Sequence, residues 1–244
     1  MNLSFNQISD IKVLEKVKFE KLEILNLSYN TKININIFIN VKFNKLKNLN
    51  LSDNNITDIN ILEQFKFEKL ELLNLGQNKV TDINILSKVN FKELKHLELS
   101  GNQISNIEIL EKVNFQKLER LNLERNNISD INSLMNANFK ELKELELSGN
   151  KISNIEILAK VKFEKLEVLN LINNKISDIN ILEKVNFKNL KKLTLSHNEI
   201  TDIRVFEKVK FGKLNVIYLE ENKISQEYTY ILNKLKATLE YCFI

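Results

Sequence analysis

One asparagine recurs every 24 residues from end to end of this 244-residue chain, and that spacing limits what the chain can fold into. The positions are Asn6, Asn30, Asn54, Asn78, Asn102, Asn126, Asn150, Asn174, Asn198 and Asn222, with no insertion or deletion between them. A fixed period in this range implies a stack of equal turns, each too small to fold alone and each burying its flat sides against its neighbours. The repeat leaves no room for an ordinary globular core or for a linker, so the expectation is a single domain over residues 1–244, about ten turns long, with a divergent last turn at 223–244.

The stretch beginning at Leu94 shows the unit: Leu94-x-x-Leu97-x-Leu99-x-x-Asn102, then Ile104, Ile107, Leu110, Val113 and Phe115. Leu97 and Leu99 alternate with His96 and Glu98, the period of a strand with one face buried. One such strand per turn predicts a parallel sheet. Ser105-Asn106 and its equivalents, such as Thr57-Asp58 and Ser177-Asp178, are residue types that accept hydrogen bonds from free N–H groups at a helix start. The threefold spacing Ile107, Leu110, Val113 predicts a short α or 3-10 segment packed on the sheet. Phenylalanine fills the next slot at Phe19, Phe43, Phe67, Phe91, Phe115, Phe139, Phe163, Phe187 and Phe211, which reads as a stacked core column. The asparagine itself carries two donors and an acceptor on one amide, the equipment needed to satisfy backbone groups where the chain leaves the strand and turns inward.

These residues resemble the leucine-rich-repeat family, L-x-x-L-x-L-x-x-N-x-I/L, over essentially the whole chain. The tail Ile176, Ile179, Leu182 is similar to the subclass of the type 1 phosphatase regulatory subunit and the bacterial internalins, with two extra residues around the Phe slot. The resemblance implies an α/β, right-handed solenoid with a curved parallel sheet on its concave face and short α or 3-10 segments on its convex face. It also implies a curved binding scaffold without catalytic activity or cofactor.

Composition excludes several alternatives. Thirty-six basic residues against 32 acidic ones give a net charge of +4, which does not ask for nucleic acid. The convex lysines Lys88, Lys112, Lys160, Lys184 and Lys208 are diluted by Glu111, Glu183 and Glu207. No apolar run reaches the roughly 18 residues of a membrane helix. A single cysteine, Cys242, permits no intrachain disulfide and points to the cytoplasm. It falls in a core slot and reads as a small buried thiol. The two histidines, His96 and His197, lie about four turns apart, and no metal spacing, phosphate loop or nucleophile motif appears, so no enzyme is expected.

The turns are not identical. In the second, Lys32 holds an isoleucine slot, which predicts a local shift near Asn30. The sixth has Ser133, Met135 and Ala137 at helical positions and reads as a softer point. Residues 227–237 read as a longer amphipathic helix with Ile231, Leu232 and Leu235 on one side, and Leu239–Ile244 as an eleventh strand, one residue late. Neither end carries a polar cap, so end-to-end self-association is a further expectation.

Charge follows a pattern of its own. Glu23, Lys47, Glu71, Lys95, Glu119, Lys143, Glu167 and Lys191 alternate in sign at the strand entrance, which reads as register control. Glu98–Asn102 repeats as Glu146–Asn150 and Ile104–Leu110 as Ile152–Leu158, evidence of growth by 48-residue duplication. On the concave face, two groups depart from an Asn/Ser background. One is charged: Glu98, Arg120, Glu124, Arg125, Glu144 and Glu146, with His96 beside it on the face. The other is amphipathic: Val168, Ile172, Val216 and Tyr218. Arg and Tyr are frequent interface anchors, so the expectation is a site for another protein on this face.

Overall fold

The computed structural model describes residues 1–244 apart from Lys32, Lys210 and Ile244. Lys32 itself, around which a shift is expected, thus lies outside the described residues, while Thr31 beside it takes a left-handed φ of 45°. Ten parallel strands form one curved, open sheet in chain order. They are β1 (Ile24–Asn26), β2 (Asn48–Asn50), β3 (Leu72–Asn74), β4 (His96–Glu98), β5 (Arg120–Asn122), β6 (Glu144–Glu146), β7 (Val168–Asn170), β8 (Lys192–Thr194), β9 (Val216–Tyr218) and β10 (Tyr241–Phe243). Neighbours pair 24 residues apart, Leu97 against Leu121 for example. At the last step Ile217 pairs with Cys242, one residue late as expected. The first rung is reduced to one bridge, Asn2 against Asn26. The strands are three residues long, but turn-to-turn hydrogen bonding continues beyond them: Lys95 N–H donates to Glu71 O at 2.8 Å and Gly101 N–H to Glu124 O at 2.8 Å.

The convex side is built mostly from 3-10 segments such as Glu108–Glu111, Asn132–Met135 and Asn180–Lys184. Three residues per turn match the Ile107, Leu110, Val113 spacing, and all three side chains are buried. The expected polar starts are present: Asn106 Oδ1 accepts Glu108 N–H at 2.7 Å, Asp130 Oδ1 accepts Asn132 N–H at 2.8 Å, and Asp178 Oδ1 accepts Asn180 N–H at 2.8 Å. In the sixth turn, Ser133 is buried and its hydroxyl donates to Ile107 O at 3.1 Å, so this turn keeps the 3-10 geometry of its neighbours. The ninth turn has a short helix, α1 (Val205–Lys208). The last has a ten-residue helix, α2 (Thr229–Thr238), which buries Ile231 and Leu235.

The core is a set of files running along the stack. Phe43, Phe67, Phe91, Phe115, Phe139 and Phe163 are each about 1% exposed, with centroid spacings of 6.4 Å for Phe43–Phe67 and 6.3 Å for Phe139–Phe163. Phe19, at the first rung of the file, is 37% exposed. The asparagine file acts as the amide chemistry requires. Asn126 Nδ2 donates to Leu99 O, Leu123 O and Glu124 O at 3.0, 3.0 and 3.2 Å, and its Oδ1 accepts Ile104 N–H at 3.0 Å. Asn54, Asn78, Asn102, Asn150, Asn174 and Asn198 repeat the donor arrangement and are buried.

Directly before each asparagine, the backbone turns through the left-handed region. This occurs at Phe5, Tyr29, Asp53, Gln77, Gly101, Arg125, Gly149, Asn173, His197 and Glu221, all with φ between 51° and 64°. Glycine holds only two of these ten corners, although it alone reaches this region without Cβ strain. Arg125→Gly is therefore expected to stabilise the protein by about 0.5–1 kcal/mol, part of the relieved strain being offset by the freer unfolded chain. Urea denaturation checks this, and an unchanged or lowered midpoint contradicts it.

Candidate binding face

The strands present two outward rows on the concave face. The first residue of each strand gives Ile24, Asn48, Leu72, His96, Arg120, Glu144, Val168, Lys192, Val216 and Tyr241. The third gives Asn26, Asn50, Asn74, Glu98, Asn122, Glu146, Asn170, Thr194, Tyr218 and Phe243. Much of the Asn/Ser background is structural. Asn26, Asn50, Asn74, Asn122 and Asn170 each accept the N–H two residues on, at 2.8–3.1 Å. Ser28, Ser52, Ser148 and Ser196 are buried beneath the turn. Glu98 and Glu146 interrupt the asparagine row, and their carboxylates are not engaged in that way.

The charged residues come together around Arg120. Its Nε donates to Glu98 Oε1 at 3.0 Å from the preceding strand side, and its Nη1 pairs with Glu144 Oε2 on the following strand. Burial works against the guanidinium charge, but Glu98, Glu144 and Glu146 outweigh it and hold its pKa above the ordinary value. Arg125 departs from the expectation. It lies beyond β5 at a left-handed corner with its side chain 73% exposed, and it pairs with Glu124 at 3.3 Å at the rim rather than on the sheet face. His96 stands beside Arg120 in the same row, while His197 sits at a corner. No group of three or more potential metal-ligating side chains assembles among the described residues.

The amphipathic group divides. Lys192 of β8 separates Val168 from Val216 in the first row, and buried Thr194 lies between the third-row positions of β7 and β9, so Val168 and Ile172 form a patch apart from Val216 and Tyr218. The second patch is larger than the sequence reading made it. Register places Tyr241 beside Val216 and Phe243 beside Tyr218. The Tyr218 and Phe243 rings lie 4.7 Å apart at 7°, Tyr241 follows 6.5 Å from Phe243 at 7°, and Lys192 Nζ sits 5.2 Å over the Tyr218 ring. Reading 239–244 as a strand was enough to find both rings, because alternate residues there must face outward. Cys242 faces the other way and is half-buried rather than buried, because it lies on the last strand of the sheet. Burial still pushes its thiol pKa up.

The strand-entrance ladder is a set of separate pairs. Lys47–Glu23, Lys95–Glu71, Lys143–Glu119 and Lys191–Glu167 close at 3.1, 2.7, 2.7 and 2.7 Å, each lysine reaching back one turn. A second file, two residues earlier in sequence, fills the alternate junctions with Lys117–Glu93 at 2.6 Å, Lys165–Glu141 at 2.6 Å and Lys213 to Asn189 Oδ1 at 2.7 Å. Each junction from β3 to β9 thus has one contact drawn from these two files, and each file has a 48-residue period. Sequence columns two residues to the left of the first ladder carried that signal and were missed. On the convex side, Lys88 and Lys208 pair with Glu63 and Glu183 at 3.9 and 3.5 Å, so the lysine stripe is partly neutralised.

The alternation has a measurable consequence. Double-mutant cycles on Lys95 with Glu71 are expected to show clearly larger coupling than cycles on Lys95 with Glu119, its other neighbour in the file, which acts on it only through space. Equal coupling would mean a continuous ladder. The hydrogen bond to Lys95 lowers the Glu71 pKa, and that to Lys143 lowers the Glu119 pKa. A depressed carboxylate contributes stability above its unfolded pKa of about 4.3 and loses it as pH falls through the folded value. The urea-midpoint gap between wild type and Lys95→Met should thus be present at pH 7 and shrink progressively as pH falls below about 4. A gap that does not shrink with acidification excludes this account.

Comparison with known proteins agrees with this geometry. Models described as leucine-rich repeats match residues 44–104, 92–134, 140–184 and 188–203, together more than half of the chain. No curated protein matches the sequence significantly. Among solved structures, internalin C2 of Listeria monocytogenes is 26% identical, with a TM-score of 0.68 over 80% of each chain. A leucine-rich-repeat protein of Leptospira interrogans is 26% identical, with a TM-score of 0.77 over all of this chain and 60% of its own length. A plant peptide hormone receptor, RGFR1, solved in complex with RGF2, is 21% identical with a TM-score of 0.57, covering 83% of this chain and 36% of the receptor. Asparagine file, parallel sheet and sequence models converge: the chain belongs to the leucine-rich-repeat family.

Proposed function

We propose that this protein is a non-catalytic, protein-binding scaffold or adaptor that engages its partner with the concave face between β4 and β10. The observation that carries this reading is the aromatic group Tyr218, Tyr241 and Phe243. Tyr241 and Phe243 remain 51% and 40% exposed beside the third row, five of whose asparagines are committed to the backbone. An exposed apolar cluster of this kind marks an interaction site. The neighbours support it in kind, since the plant receptor is solved in complex with RGF2. The lone cysteine supports a reducing, cytoplasmic setting. A second reading, a surface adhesion module, is favoured by the likeness to internalin C2.

Affinity capture followed by mass spectrometry tests the first reading. Tyr218→Ala is expected to weaken retention of specifically captured partners at least tenfold, the cost of truncating an interface anchor. Retention that survives Tyr218→Ala and Arg120→Ala alike rules out the concave face.

A further inference from the structure

We infer that the concave face takes an extended peptide segment with a basic residue four to six positions from an aromatic or large apolar one. This inference rests on the scaffold reading above. The aromatic end is built from Tyr218, Tyr241 and Phe243 on adjacent strands. Their concave-facing edges are not covered by stacking between rungs, because each rung contacts its neighbours along the sheet rather than over it. One flank is occupied by the Lys192 ammonium over the Tyr218 ring, so a second cation is disfavoured there and an apolar side chain suits the platform.

Charge selects the other end. On β4 to β6, Glu98, Glu144 and Glu146 surround one cation, Arg120, which closes on Glu98 and Glu144. Glu146 acts on Arg120 through space but makes no ion pair with it, although the chain as a whole is basic. A basic side chain arriving at Glu146 completes the pairing that the face leaves open.

Geometry links the two ends. Glu146 on β6 and Tyr218 on β9 are three strands apart, about 14 Å at roughly 4.8 Å per strand. Phe243 is one strand further, at about 19 Å. An extended peptide advances about 3.3 Å per residue, so four to six residues join the two features. Between them the third row holds Asn170, whose side chain accepts the Ile172 N–H, and buried Thr194, so no bulky side chain stands in that row.

Panning a random octapeptide library displayed on phage against the full chain tests the inference. The expected result is enrichment of sequences with Lys or Arg four to six residues from Phe, Tyr, Trp or Leu. Synthetic versions should weaken at least tenfold with Glu146→Lys, tenfold with Tyr218→Ala, and severalfold between 50 and 300 mM salt, with melting curves showing that both variants are folded. Enriched sequences lacking a basic residue but still sensitive to Tyr218→Ala overturn the peptide chemistry and leave the scaffold reading standing. Enrichment insensitive to both substitutions overturns both. No enrichment at all overturns the peptide inference, and the capture experiment then decides the scaffold reading alone.

Discussion

Replacing Asn126 with alanine is expected to lower the unfolding free energy by about 3–5 kcal/mol. The three carbonyls that its amide contacts each keep a second donor. Asn102 Nδ2 still reaches Leu99 O, Asn150 Nδ2 reaches Leu123 O, and Gly101 N–H reaches Glu124 O. Ile104 N–H has no such substitute, since Asn126 Oδ1 is its acceptor. A buried, orphaned N–H costs about 1–3 kcal/mol, and three weakened carbonyl bonds add about 0.5–1 kcal/mol each. Asn126→Asp separates the two sides of the amide. Its oxygen still accepts from Ile104, but a second oxygen now faces three carbonyls, so the folded-state pKa rises above the unfolded value of about 3.9. Stability linked to a raised acid pKa is present below the unfolded pKa and lost as pH rises. Asn126→Asp should therefore be more stable than Asn126→Ala at pH 3 and less stable at pH 7. Asn6, exposed and bonded only to Leu3 O and Ser4 O within its own loop, should tolerate alanine at a cost below about 1 kcal/mol. Equal losses at Asn6 and Asn126, read from urea denaturation, would refute the file as the source of stability.

Phe115→Ala should cost about 3–5 kcal/mol, the range for truncating a fully buried phenylalanine. The ring sits between Phe91 and Phe139 at 1% exposure, and the stack cannot collapse along its axis without breaking sheet hydrogen bonds on both sides. Because stability in a solenoid is a sum over neighbouring turns, the loss falls on the junctions on either side of the fifth turn, and the unfolding transition should broaden. Phe19→Ala, at a ring 37% exposed and covered on one side, should cost below about 2 kcal/mol. A Phe19 effect as large as that at Phe115 would contradict this.

Both expectations stand on features legible in the sequence, because strict periodicity turns a local residue choice into a three-dimensional neighbour 24 positions away. The alternating charges at Glu23 to Lys191 were legible for the same reason, and the second file at Glu93 to Lys213 would have been found by reading one more column. The candidate site was less legible. Arg120, Glu98 and Glu144 were named together and do meet. Arg125 was assigned to the face and belongs to the corner, because the left-handed turn before each asparagine leaves little trace when glycine fills only Gly101 and Gly149. Tyr241 and Phe243 were overlooked because the one-residue delay before β10 removes them from the 24-residue columns.

The sequence by itself determined the rung spacing, the inward-facing leucines and phenylalanines, and the role of each buried asparagine. All of these follow from a period that repeats without error and from backbone groups that must be satisfied wherever the chain turns. Only the tertiary structure decided which of two equidistant glutamates each lysine meets, which concave amides are consumed by their own backbone, and which rings share a surface. Those outcomes depend on side-chain reach and on the register of one irregular turn, and no periodic pattern encodes either.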